Sequence, residues 1–176
     1  MINTLAFTGS NSSSSINKKL LTYVIEQIDF KIKTINLSDF KVPIYSIDIE
    51  KDEGIPNEIM KIGKCIADYD HLIIAVSEHN GSVSVFFKNY IDWLSRYDIE
   101  FLEDKKLFII GSSPGRGGAK MALNWTAEIL PRFGAQMISQ FSLSSFNHSF
   151  SDEKGIFDDE QKRVFDTSLT KFLDHI

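Results

Sequence analysis

Apolar residues fall along this chain in two rhythms. Leu5-Ala6-Phe7, Leu72-Ile73-Ile74-Ala75-Val76 and Leu107 to Ile110 are short continuous runs, each closed by a turn rich in Gly, Ser or Asn. Such runs predict strands buried on both faces, as in a parallel sheet. The first is entered from Ile2. Between the runs, apolar residues recur every three or four positions, which keeps them on one helical face. Ile16, Leu20, Val24 and Ile28 mark a first helix, and Ile59, Ile62, Cys65 and Ile66 a second. Further helices are predicted from about Ser84 to Arg96, from about Gly118 to Arg132, and around Val164, Phe165, Leu169, Phe172 and Leu173. Ser14 or Ser15 suits the first N-cap, because a hydroxyl oxygen accepts an unpaired first-turn N–H. Pro56 suits a helix start. Phe30 and Ile32 alternate with Lys31 and Lys33, with Ile35 and Leu37 following, which predicts a more polar edge strand. The acidic stretch with Pro43 and Tyr45 reads as a loop, and Ala135 to Leu143 as a fifth strand.

The resulting order, βαβαβαβαβα, implies a parallel sheet with helices on both faces. Right-handed crossovers leave few topologies, and five strands favour a flavodoxin-like three-layer α/β sandwich with strand order 2-1-3-4-5. No internal repeat or linker interrupts the 176 residues, so residues 1–176 are expected to form a single domain.

Composition narrows the partners. With 43% hydrophobic and 24% charged residues the chain is not of the disordered class. A net charge of −5 without a basic run argues against nucleic acid as a partner. No apolar stretch reaches the roughly 20 residues that span a bilayer. Met1-Ile2-Asn3-Thr4 does not open a signal peptide. The single Cys65 excludes an internal disulfide and a multi-cysteine metal site. A soluble, cytoplasmic protein with no membrane partner is expected.

Candidate chemistry lies in the loops. In an open α/β sheet, ligands bind beyond the carboxyl ends of the strands at the switch point, bordered here by the loops after strands one, three and four. Gly9-Ser10-Asn11-Ser12-Ser13-Ser14-Ser15-Ile16-Asn17 leads into a helix whose N–H groups and dipole favour an anion. Its hydroxyls suit a phosphate monoester, yet it is neither a Walker loop nor a dinucleotide fingerprint. Glu78-His79-Asn80-Gly81-Ser82 lets backbone approach a flat ligand at Gly81. Ser113-Pro114-Gly115-Arg116-Gly117-Gly118 offers backbone donors and one cation.

These motifs resemble the NADPH-dependent FMN reductase family over roughly residues 2 to 143. The most specific stretch is Glu78-His79-Asn80-Gly81-Ser82 followed by Phe87-Lys88-Asn89-Tyr90-Ile91-Asp92-Trp93, against a family pattern of Pro-Glu-Tyr-Asn-Gly-Ser, Leu-Lys-Asn and Ile-Asp-Trp. Gly9, Ser10, Ser15 and Asn17 match the first-loop pattern. Ser12 stands where the family carries Arg, Ser77 where it carries Pro, and His79 where it carries Tyr. The resemblance implies FMN as cofactor and NADPH or NADH as co-substrate. Ser10, Ser12, Ser15, Ile16 and Asn17 would surround the phosphate, and Glu78, His79, Asn80 and Gly81 would follow the isoalloxazine edge. Ser113, Gly115, Arg116 and Gly117 would close its other side. It also implies a homodimer or homotetramer, with Lys88, Asp92 and Trp93 in helix packing or subunit contacts.

No His-x-x-x-His or acidic cluster suggests a metal, no Gly-x-Ser-x-Gly elbow surrounds Ser10, and Cys65 reads as a structural thiol on an apolar face. No catalytic side chain is nominated, because the cofactor carries the chemistry. The expected activity passes hydride from NAD(P)H to flavin and on to a small acceptor: free flavin, a quinone, an azo compound or a metal ion. A flavodoxin-like electron carrier without NAD(P)H turnover is the alternative, and a flavin-free binding protein a third reading.

Overall fold

The first apolar run forms β1 (Thr4–Thr8), buried along its whole length, in a computed structural model that describes residues 3–176. Ile2 lies outside the described residues. Ser15 caps α1 (Ile16–Glu26) by accepting the Lys18 N–H at 3.2 Å. The polar edge strand shrinks to β2 (Lys33–Thr34), and Leu37 begins a short 3-10 turn instead of extending the strand. The stretch expected to be a loop contains α2 (Ile47–Glu53), capped by Ser46. α3 (Asn57–Ala67) starts after Pro56, as predicted, and leads to β3 (His71–Val76). The second glycine-bearing loop is itself a hairpin of β4 (Glu78–His79) and β5 (Ser82–Val83), followed by α4 (Val85–Tyr97). β6 (Lys106–Ser112) takes in Gly111 and Ser112, which the sequence reading places in the loop. α5 (Lys120–Ile129) ends earlier than expected, in a 3-10 turn containing Pro131. After β7 (Gln136–Leu143) come α6 (Phe146–Ser149), a small hairpin of β8 (Phe150–Ser151) and β9 (Gly155–Ile156), and α7 (Asp159–Leu173).

The five parallel strands follow the order β2-β1-β3-β6-β7, the flavodoxin-like arrangement. Alternate residues of each strand face opposite layers. Leu5, Phe7, Leu72, Ile74, Leu107 and Ile109 pack against α3, α4 and α5. Ala6, Ile73, Ala75, Phe108, Ile110 and Phe141 pack against α1 and α7. Cys65 is only partly buried, and desolvation raises its thiol pKa. No helix among the described residues is long and apolar enough to cross a membrane.

Between β2 and α3 the chain runs as a strap across α4. Tyr90 donates its hydroxyl to the Leu37 and Phe40 carbonyls at 2.8 and 2.7 Å. Trp93 donates Nε1 to the Pro43 carbonyl at 2.8 Å. Burial pushes the Tyr90 phenol up to about 12, so it holds the strap as a neutral donor across the physiological range.

Candidate active site

The three crevice loops meet above the carboxyl ends of β1, β3 and β6. In the first, the Gly9 N–H bonds the Ala75 carbonyl at 2.8 Å, and the Ser84 hydroxyl donates to the Gly9 carbonyl at 2.6 Å. A Cβ on Gly9 would lie 2.7 Å from the Phe87 ring, so only glycine lets this loop seat on α4. Ser10 Oγ accepts the Ser12 N–H and Ser12 Oγ accepts the Ser14 N–H, each at 3.3 Å, which curls residues 10–14 into successive tight turns. Residues 11–14 remain exposed. Ile16 and Asn17 are the first helical residues, so their N–H groups have no intrahelical acceptor. Hydroxyls over such a helix start form a donor set that fits a phosphate.

Asn17 itself is buried, and its amide is spent on the protein. Oδ1 accepts the Ser112 N–H at 2.7 Å, and Nδ2 donates to the Ser112 carbonyl at 3.2 Å and to the Ser77 hydroxyl at 3.4 Å. One side chain thus braces the ends of β3 and β6 against the start of α1. Ser15 is likewise buried in its capping role, while Ile16 packs partly against the α1–α7 core.

Asn80 and Gly81 both have positive φ, 51° and 77°, the requirement of a two-residue hairpin turn whose twist matches its strands. The turn carries His79 and Asn80 into solvent. Glu78 points elsewhere. Its Oε2 accepts the Met121 and Ala122 N–H groups at 2.9 and 3.1 Å. α5 has no side-chain cap of its own, so Glu78 supplies one from another loop. Sequence reasoning offers no signal for this, since the cap and its helix are about forty positions apart.

The third loop is held from inside. Ser113 Oγ donates to the Gly115 carbonyl at 3.1 Å and accepts the Gly118 N–H at 2.9 Å. The Ser145 N–H bonds the Gly115 carbonyl at 2.8 Å, tying the loop to the segment after β7. Gly118 has φ +59°, and a Cβ there would lie 2.4 Å from Ser142 Oγ. Gly115 and Gly117 differ: neither has a positive φ, and a Cβ on either would meet nothing within 4 Å. Their missing side chains leave backbone open to solvent beside exposed Arg116, free for a ligand to approach closely.

Two clefts open beside the crevice, of about 390 and 610 Å³. The smaller is lined by Tyr45, His79, Val83 and Trp125, the larger by Asn11, Phe40 and Phe86; Ile44, Val85 and Asn89 border both. Lys88 and Asp92 also face the smaller cleft and pair with each other. The Tyr45 hydroxyl donates to Glu50 at 2.9 Å, and Arg96 Nε reaches both Glu50 oxygens at 3.0 Å. The Tyr45 bond foremost, then Arg96, holds the Glu50 carboxyl below its ordinary range, and the same bond raises the Tyr45 phenol. Among the described residues, no group of three His, Cys, Asp or Glu is placed to hold a metal.

Comparison with known proteins follows the same outline. The chain is 26% identical over 178 residues to CrdA, a subunit of the NADH:(hydroxy)cinnamate reductase of Vibrio ruber, with 98% of this chain and 86% of that one covered. Over 80 residues it is 38% identical to a quinone reductase of Escherichia coli, covering 45% of this chain and 43% of the relative. Its fold matches FerB, a flavoenzyme NAD(P)H:(acceptor) oxidoreductase from Paracoccus denitrificans, with a TM-score of 0.79, 24% identity, and 98% and 96% of the two chains covered. The model of the NADPH-dependent FMN reductase family matches residues 2–148, a span that takes in all five sheet strands and the three crevice loops. This chain therefore belongs to the NADPH-dependent FMN reductase family, oxidoreductases that use FMN and NAD(P)H.

Proposed function

We propose that residues 1–176 form one FMN-binding domain that takes electrons from NADPH or NADH and delivers them to a small quinone. The observation that carries this reading is the bracing of three polar loops into one crevice by Asn17 and Glu78, with open backbone at Gly115 and Gly117. FMN, when bound, supplies the acceptance and release of hydride. The protein's part is to hold and screen it. Ser10, Ser12 and the first-turn N–H groups of α1 hold the phosphate, with Ser15 and Ile16 shaping the helix start. His79, Asn80 and Gly81 follow the ring edge, where main-chain N–H groups offset developing negative charge. Ser113, Gly115, Arg116 and Gly117 close the other side. Asn17 and Glu78 act through the loops they brace.

The quinone assignment is supported by the relative named quinone reductase and by the aromatic cleft, whose one cation and one anion pair with each other. The family resemblance also implies a homodimer or homotetramer, for which Met121, more than half exposed, offers an apolar contact. The test is direct. Protein purified with added FMN should be yellow, bleach on anaerobic addition of NADPH or NADH, and recover its colour with a quinone. Steady-state rates should give parallel double-reciprocal lines. Flavin that dithionite bleaches and neither nicotinamide does would make the protein an electron carrier, and a colourless protein that cannot be reconstituted would end the reading.

A further inference from the structure

Asn89 is buried on the first turns of α4, yet its amide does nothing for α4. Nδ2 donates to the Pro43 carbonyl at 2.9 Å, and Oδ1 accepts the Tyr45 N–H at 2.8 Å. Tyr90, Trp93 and Arg96 also grip the strap, at Leu37 and Phe40, at Pro43, and at Glu50. Of these, Asn89 alone takes hold on both sides of Ile44. The residue so presented is 65% exposed and stands with Val85, 72% exposed, between the two clefts. A single exposed isoleucine is ordinary; this one differs in having its backbone fixed on both sides, which sets it as a wall for whatever enters the clefts.

Its neighbours say what that is. Tyr45, next along the strap, is set edge-on to Trp93 with centroids 5.1 Å apart, and Glu50 anchors its hydroxyl. Trp125 lines the same cleft, and the charges of Lys88 and Asp92 are spent on each other. Rigid apolar walls without net charge fit a flat, uncharged ring system.

We infer that Asn89 is a positioning residue for the electron acceptor: by fixing Pro43 and Tyr45 it sets Ile44 and the Tyr45 ring as the wall that selects the acceptor by shape. This rests on the reading of the adjoining crevice as the flavin site. Asn89 touches neither that crevice nor the reacting atoms, so its effect falls on acceptor affinity and not on the limiting rate.

FMN-loaded protein, reduced anaerobically with dithionite, is mixed with menadione or with ferricyanide, and reoxidation is followed at increasing concentrations of each. Wild type is compared with Asn89→Leu, which releases the strap, and Ile44→Ala, which trims an exposed side chain and leaves packing intact. In both variants the ratio of second-order rate constants, menadione over ferricyanide, should fall about tenfold, the scale of one lost apolar contact in a specificity pocket. The fall should come through the half-saturating menadione concentration, with the FMN dissociation constant moving less than about threefold. If Asn89→Leu does not fold, Ile44→Ala decides alone. An unchanged ratio in Ile44→Ala, or in folded Asn89→Leu, overturns the inference. Wild type that takes up no FMN overturns the flavin reading beneath it, and this shows before any variant is made.

Discussion

Gly115, Gly117 and Gly118 look interchangeable along the chain and are not. At Gly118 a side chain would need φ +59° and would meet Ser142 Oγ and the Ser144 backbone N at 2.4 and 3.1 Å. Gly118→Ala should therefore destabilise the fold by roughly 1–3 kcal/mol, from left-handed strain and overpacking together. Gly115→Ala and Gly117→Ala meet no such obstacle and should melt with the wild type. If flavin lies against their backbone, each added methyl overpacks that contact by about 1–3 kcal/mol and weakens FMN roughly tenfold or more. Thermal melts and flavin titrations separate the two effects; wild-type affinity in both would move the ligand away from this loop. The three loops were legible as neighbours, because a doubly wound sheet brings the loops after β1, β3 and β6 to its switch point. Their individual tasks were not. Asn17 and Glu78 read as ligand groups, whereas the fold spends the amide on Ser112 and Ser77 and the carboxylate on α5. Only the tertiary register that brings these loops together reveals a brace.

Glu78 also shows how elements depend on one another. Its carboxylate satisfies two orphan N–H groups at the positive end of α5. Glu78→Ala should lose about 0.5–2 kcal/mol, the range for a lost N-cap. Glu78→Gln keeps an acceptor oxygen and should recover most of that, short of the charge–dipole part. Melting curves of the three proteins check this, and an alanine variant melting with the wild type would mean that α5 does not need the cap. Long elements were readable because burial imposes a clear period: β3 and β6 are covered on both faces, and α3 and α4 on one. Short ones were not. α2 buries no residue, and its Ile-Asp-Ile-Glu start alternates like a strand; Ser46 and the Arg96–Glu50 pair hold it as a helix. The β4–β5 hairpin carries the Asn-Gly signal in plain view, but two residues a side leave no alternation to notice. β2 is short at the exposed sheet edge, where Lys33 and Thr34 pair with β1 and the Ile35 N–H adds one bond to the Ala6 carbonyl.

For the whole molecule, the telling fact is that the family match stops at residue 148 while the core does not. α7 lies beyond it and shares one sheet face with α1, covering mainly the β7 side of that face. Phe165 and Phe172 are completely buried and Leu169 nearly so. Phe172 stacks on Phe108 at 5.5 Å, and Phe165 meets Phe141 at 5.3 Å. Burying three such side chains contributes roughly 1.5–3 kcal/mol each. Removing them also uncovers part of Phe108 and Phe141, the rings that Phe172 and Phe165 lie against. The loss rivals the whole stability of a domain, about 5–15 kcal/mol. A chain ended at Phe157 keeps all five strands, all three crevice loops and every residue assigned to FMN. It should nonetheless fail to fold cooperatively, bind a dye for exposed apolar surface, and retain no FMN. Far- and near-ultraviolet circular dichroism with a thermal melt tests this. A truncated chain that melts cooperatively at the full-length temperature would show that α7 is peripheral, and that the sheet closes its second face with α1 alone.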